Sequence, residues 1–68
     1  MTVGINVKRL RKERGYSQND LAIKSGLLQT TISSIERGGD PTSTNLLKLA
    51  NALNVTADDL LNIKEVTK

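Results

Sequence analysis

The 68-residue chain has no cysteine, no histidine, no tryptophan and no phenylalanine, and it has a single proline. Each absence excludes something. Without cysteine there is no disulfide framework. Without histidine as well, a zinc or iron site would rest on carboxylates alone, which suits neither metal, so no metal and no cofactor is expected. Tyr16 is the only aromatic residue, and one ring gives no platform on which the bases of a single nucleic-acid strand can stack. No apolar run approaches the roughly 20 residues of a membrane-spanning helix. The N-terminus has no basic patch followed by an apolar stretch, so no signal peptide is read. These features lead us to expect a soluble, cytoplasmic protein with no membrane partner and no small-molecule ligand.

A chain of this length makes one domain, expected over residues 1–62, with 63–68 as a short tail that frays. A domain of about 60 residues buries only about 60% of its unfolded surface. Such small domains lean on disulfides, metals, close helix packing or a partner subunit. Here the last two remain. The net charge is +3, and it is unevenly spread. Residues 1–37 hold seven Lys/Arg against three Asp/Glu, a balance of +4, whereas residues 38–68 hold three against four, a balance of −1. A basic first half fits a polyanionic partner, although a solvated cationic face with no partner gives the same count.

The pattern predicts an all-α fold, a compact bundle of five short helices, because the β-branched residues never alternate over the length of a strand. Val3, Val7 and Leu10 form one helical stripe, ended by Gly15. Ser17 followed by Asp20 is a capping-box variant that opens a second helix, which Gly26 stops. A third helix begins at Leu28 or Gln29 and ends at Gly38 and Gly39. Thr42 caps a fourth, whose inner face carries Leu46, Leu49, Ala50 and Leu53, with Asn54 at its exit. Thr56 and Asp59 open a short fifth helix through Leu60 and Leu61.

Residues 18–37 carry the functional signal. Two helices joined by so short a link cross steeply, so a small residue must stand where they approach and a residue tolerant of positive φ must stand in the turn. Ala22 and Gly26 occupy those places. Leu21, Leu27, Ile32 and Ile35 close the corner. In register with them come Leu10 and Arg11, then Gly15 to Gln18, then Thr31 to Gly38, Pro41, and the run from Leu46 to Val55. Together these resemble the lambda-repressor-like helix-turn-helix family of phage repressors, Cro proteins and their bacterial relatives, from Val3 to Leu61. Ser25 and Ser43 depart from that pattern, where apolar or small residues are commoner, and are expected to loosen the core slightly.

The third helix can be read without the family. At about 100° per residue, Ile32 and Ile35 point one way, and Thr30, Ser33, Ser34 and Arg37 point the other. A solvated face is more often rich in Lys and Glu, which favour helix where Ser and Thr do not. Small polar side chains instead let a helix approach base edges in the major groove of double-stranded DNA. The recognition helix is therefore expected over about 29–37. Gln29 lies in its first turn and can pair bidentately with adenine. Thr30, Ser34 and Ser33 follow as base-contacting candidates. Leu28 or Thr31 is a candidate for apolar contact with a thymine methyl.

Phosphate contacts are expected from Ser17 and Gln18, at the positive end of the second helix. Arg37 at the far end of the third and Thr42 at the start of the fourth are further candidates. The resemblance implies that Gln18 holds a phosphate. It also implies that Arg11 pairs with Glu36 in a structural ion pair, with Arg11 close to phosphate as well. The family often dimerises through the loop before the fifth helix and the C-terminal end, where this chain offers Val55, Leu61 and Ile63. Of Leu60 and Leu61, one must close the core.

The reading is of a homodimeric, sequence-specific regulator of transcription on a palindromic operator. The alternative is an antitoxin-type or partner-binding regulator that uses the same fold and binds DNA for autoregulation. An enzyme is rejected: no His or Cys, no Gly-rich phosphate loop after a strand, and no inward pair of acids is present.

Overall fold

The computed structural model describes residues 2–61, which contain five helices. They are α1 (Thr2–Glu13), α2 (Gln18–Ser25), α3 (Gln29–Glu36), α4 (Ser43–Leu53) and α5 (Ala57–Leu61). The expected domain end at residue 62 and the tail 63–68, with Ile63, lie outside the described residues. No described helix is long and apolar enough to cross a membrane.

Local chemistry sets the helix boundaries. Ser17 and Asp20 form a full capping box, Ser17 Oγ accepting from the Asp20 amide and the Asp20 carboxylate accepting from the Ser17 amide, both at 2.9 Å. Thr56 and Asp59 repeat this arrangement before α5. Thr42 Oγ1 accepts from the Asn45 amide at the start of α4. At the other end of α2, Gly26 has φ 77°, a left-handed value that a side chain disfavours. This lets the amides of Gly26 and Leu27 both reach the Ala22 carbonyl, so the chain turns within two residues. Asn54, with φ 60°, closes α4 in the same conformation. The third helix stops at Glu36, with Arg37 as its cap, one residue short of the expected span.

All five helices contribute to one core. Val7 and Leu10 of α1, Leu21 and Ala22 of α2, Ile32 and Ile35 of α3, Leu49, Ala50 and Leu53 of α4, and Leu60 of α5 are buried. Tyr16, Leu27, Leu46 and Val55 are half-buried against it. Leu60 is thus the leucine that closes the core, and Leu61 is exposed. Ser25 is accommodated inside with its hydroxyl engaged. It is buried, its hydroxyl donating to the Ala22 carbonyl and accepting from the Leu27 amide, both at 3.3 Å. Ser43 is exposed and leaves the core untouched.

Two residues of α1 hold the ends of the bundle together. Asn6 is buried in line with the apolar stripe, and its side-chain amide donates to the Leu60 carbonyl at 2.8 Å, tying α1 to α5. Gly4 lies where α1 meets the end of α3: a Cβ there would overlap the Ile35 carbonyl oxygen and crowd the backbone carbon of Glu36. Alanine is the better helix former by about 0.8–1 kcal/mol, yet the obstacle is backbone and cannot swing aside. Gly4→Ala should therefore lower unfolding free energy, by about 1–3 kcal/mol. Urea denaturation monitored by circular dichroism measures this, and a stabilised Gly4→Ala protein would show that α1 does not approach α3 so closely.

Candidate nucleic-acid interface

The α2–turn–α3 unit positions the surface of interest. Leu21 and Ala22 anchor α2, Ile32 and Ile35 anchor α3, and Leu27 packs in the turn between them. With Ile32 at 0% and Ile35 at 3% exposure, α3 can present only its opposite side. Gln29, Thr30, Ser34 and Arg37 are exposed, and Ser33 and Thr31 are half-buried. Leu28, the residue before the helix, is 71% exposed. The outward side of α3 is therefore short, uncharged until Arg37, and built of amide and hydroxyl groups that both donate and accept.

The candidate phosphate residues lie at helix ends. Thr42 and Ser17 are exposed at the starts of α4 and α2. Their hydroxyls accept from cap amides and retain a hydrogen to donate outward. The α2 start is less purely an anion seat than its dipole suggests, because the Asp20 carboxylate already lies there. The hydrogen bonds from the backbone and then the side chain of Ser17 hold its carboxyl below the usual range. The capping box engages the amides of Ser17 and Asp20, so a phosphate would meet those of Gln18 and Asn19.

Arg11 and Glu36 lie beneath the surface. Arg11 Nε donates to Glu36 Oε2 at 2.7 Å and Arg11 NH2 to Glu36 Oε1 at 3.1 Å, a bidentate pair. Arg11 NH1 donates to the Tyr16 carbonyl at 2.9 Å. The Arg11 and Glu36 side chains are only 10% and 4% exposed. The guanidinium is thus engaged inside the protein, joining α1, the α1–α2 corner and α3. The phosphate contact also expected of Arg11 has little surface from which to come. Gln18 joins the same group, its side-chain amide donating to Glu36 Oε1 at 3.1 Å. Burial pushes the Glu36 carboxyl up, but the hydrogen bonds from Arg11 and Gln18, with the charges of Arg11 and Lys8, outweigh it and hold the carboxyl below its ordinary value. The Glu36 hydrogen bond in turn raises the Arg11 guanidinium.

The Gln18–Glu36 contact is absent from the sequence expectations, in which the helix start and the family resemblance both give Gln18 a phosphate. Its signal was weak: a polar residue at that start, and an acid flanking the core of α3 that one arginine leaves with acceptor capacity to spare. The remaining cations are peripheral. Lys8, Arg9, Lys12 and Lys24 are exposed. Arg9 pairs with Glu13 at 3.2 Å, and Lys24 lies 5.0 Å over the Tyr16 ring. Of the candidate dimer residues, Val55 is half-buried against the core and Leu61 is 49% exposed.

A helix-turn-helix family profile matches residues 7–60, nearly all of the described chain. The chain belongs to the lambda-repressor-like helix-turn-helix family. That family is one of DNA-binding transcription regulators and not of enzymes. The chain is 40% identical to the HTH-type transcriptional regulator SinR of Bacillus licheniformis over 97% of its own length and 61% of that protein's. It thus spans somewhat less than two thirds of that relative. Among solved structures, the N-terminal DNA-binding domain of SinR from Bacillus subtilis matches with a TM-score of 0.87 at 37% identity, covering 96% of this chain and 97% of that one. The structure of SinR in complex with DNA matches with a TM-score of 0.84 at 39% identity, covering 88% of this chain and 98% of that one.

Proposed function

We propose that this helix-turn-helix protein is a sequence-specific, double-stranded DNA-binding regulator of transcription, with α3 lying in the major groove. The observation that carries the reading is the outward side of α3, exposed, small and polar. Gln29 reads a base edge from the first turn, with Thr30, Ser33 and Ser34 beside it. Ser17, Gln18, Thr42 and Arg37 fix the duplex through its phosphates, which sets register without carrying sequence information. Arg11 acts at one remove, holding Glu36 and through it Gln18. The relatives' printed names, transcriptional regulators and a regulator in complex with DNA, support the same reading.

One recognition helix reads only a few base pairs, too few for selectivity in a genome. The protein therefore works as a homodimer, on a palindromic operator with half-sites about one helical turn, ~34 Å, apart. Val55, Leu61 and Ile63 are the proposed contact between subunits.

Selection of bound duplexes from a random pool tests this reading. The expected outcome is a palindromic consensus, relaxed at one position per half-site in Gln29→Ala, where discrimination falls by about 1–3 kcal/mol. Binding without sequence preference would refute it.

A further inference from the structure

Leu28 stands out against every other helix start described after α1. Ser17, Thr42 and Thr56 each place a hydroxyl on a helix amide, whereas Leu28, the residue before α3, makes no side-chain cap. Its side chain is also not needed inside: the neighbouring Leu27 packs against the core, and Leu28 is 71% exposed. A lone exposed leucine is ordinary on a protein surface. A leucine that takes the place of a cap is less so, because Ser, Thr, Asp or Asn there would stabilise the helix. The position thus forgoes a cap and exposes an apolar group at once, directly beside Gln29 and Thr30.

We infer that Leu28 is a specificity-determining residue that recognises the 5-methyl group of a pyrimidine in the major groove. This rests on the DNA-binding reading above and adds the chemistry of one contact. In the major groove the only apolar feature of a base pair is that methyl, and an apolar side chain is what detects it. Of the residues with apolar groups at the helix entry, Thr31 is half-buried while Thr30 and Leu28 are exposed, and Leu28 alone presents a wholly apolar side chain, so the structure favours Leu28. Branched and placed at the helix entry, Leu28 meets the edge of the base pair next to the one Gln29 reads. The methyl can belong to thymine or to 5-methylcytosine, and the side chain does not distinguish its source.

The test uses a duplex selected by the wild-type protein, with each dT replaced singly by dU, which removes the methyl and nothing else. At one position per half-site, adjacent to the base that Gln29→Ala relaxes, affinity should fall about fourfold, the worth of one buried methyl. Installing dC at that position and then 5-methyl-dC should recover a similar factor. In Leu28→Ser both differences should shrink to less than about twofold, while the thermal midpoint rises by about 5 °C because α3 gains its cap. That rise separates loss of recognition from loss of fold. Equal affinity for dT and dU at every position, or discrimination undiminished in Leu28→Ser, would overturn this inference and leave the DNA-binding reading standing. Absence of any sequence-preferring binding would overturn both.

Discussion

Thr30→Glu should abolish binding to a selected duplex while leaving the protein as stable as before or slightly more so. Thr30 is exposed in the first turn of α3, on the side away from Ile32 and Ile35. A carboxylate there would enter a groove walled by phosphates of both strands. Like charges brought together at an interface cost several kcal/mol, so affinity should drop by at least about 100-fold. The folded protein, by contrast, gains. Glutamate is a better helix former than threonine, and a negative charge in the first turn interacts favourably with the helix dipole. Fluorescence anisotropy with a labelled duplex and thermal melting are the two measurements. Their opposite directions matter, because a variant that merely unfolds would lose both. Binding within a few-fold of wild type would mean that this side of α3 does not face DNA.

Arg11→Met should be the most destabilising single change outside the apolar core. It removes both hydrogen bonds to Glu36 and the one to the Tyr16 carbonyl. It leaves the carboxylate in a site where the side chain is only 4% exposed. Breaking one side of a buried pair costs about 3–5 kcal/mol, chiefly because the other charge is left uncompensated. For a domain this small that approaches the whole stability. The double variant Arg11→Met, Glu36→Leu should recover much of the loss, since no orphaned charge remains. Urea midpoints of the three proteins at neutral pH measure the comparison.

The same pair gives the stability a pH dependence with a definite sign. In the wild type the Glu36 carboxyl is held below its ordinary value, so its contribution is fully present above the unfolded value, about 4.3. That contribution fades as pH falls through the lower folded value. In Arg11→Met burial remains while the strongest opposing partner is gone, so the carboxyl rises from its wild-type value and protonation costs the variant less. The gap between wild type and variant should therefore narrow on acidification below about pH 5. Asp20 and Asp59 are also lowered by their cap hydrogen bonds. They are present in both proteins and drop out of the difference. A gap that widened with acid would contradict the pairing.

What the sequence disclosed and what it hid divide along physical lines. Helix boundaries were legible because they are written in local chemistry: Ser17 with Asp20, Thr42, Thr56 with Asp59, Gly26 and Asn54 each act within a few residues of themselves. The inward side of α3 was legible because two isoleucines three apart fix a helix's orientation. The close approach at Gly4, the burial of Asn6 and the Glu36 contact of Gln18 were not read, and each depends on a partner distant in sequence. Gly4 looks like a weak position in α1 until the end of α3 is seen against it. Asn6 is a polar residue in line with a stripe of Val3, Val7 and Leu10, and that alignment was the available hint of burial with a partner. Ser25 was read as a flaw because its residue type departs from the family pattern, yet its hydroxyl serves backbone groups inside the turn. The end of α3 differed by one residue, since Arg37 is a cap whose backbone no longer continues the helix.

The central claim is that DNA meets the outward side of α3, and amide chemical-shift mapping during titration with a selected duplex tests it most directly. The largest changes should fall on Leu28, Gln29, Thr30, Ser34 and Arg37, with a second group at Gln18 and Thr42 that a random duplex also produces. Changes concentrated on the exposed sides of α1 and α5, with the amides of α3 unmoved, would contradict the account.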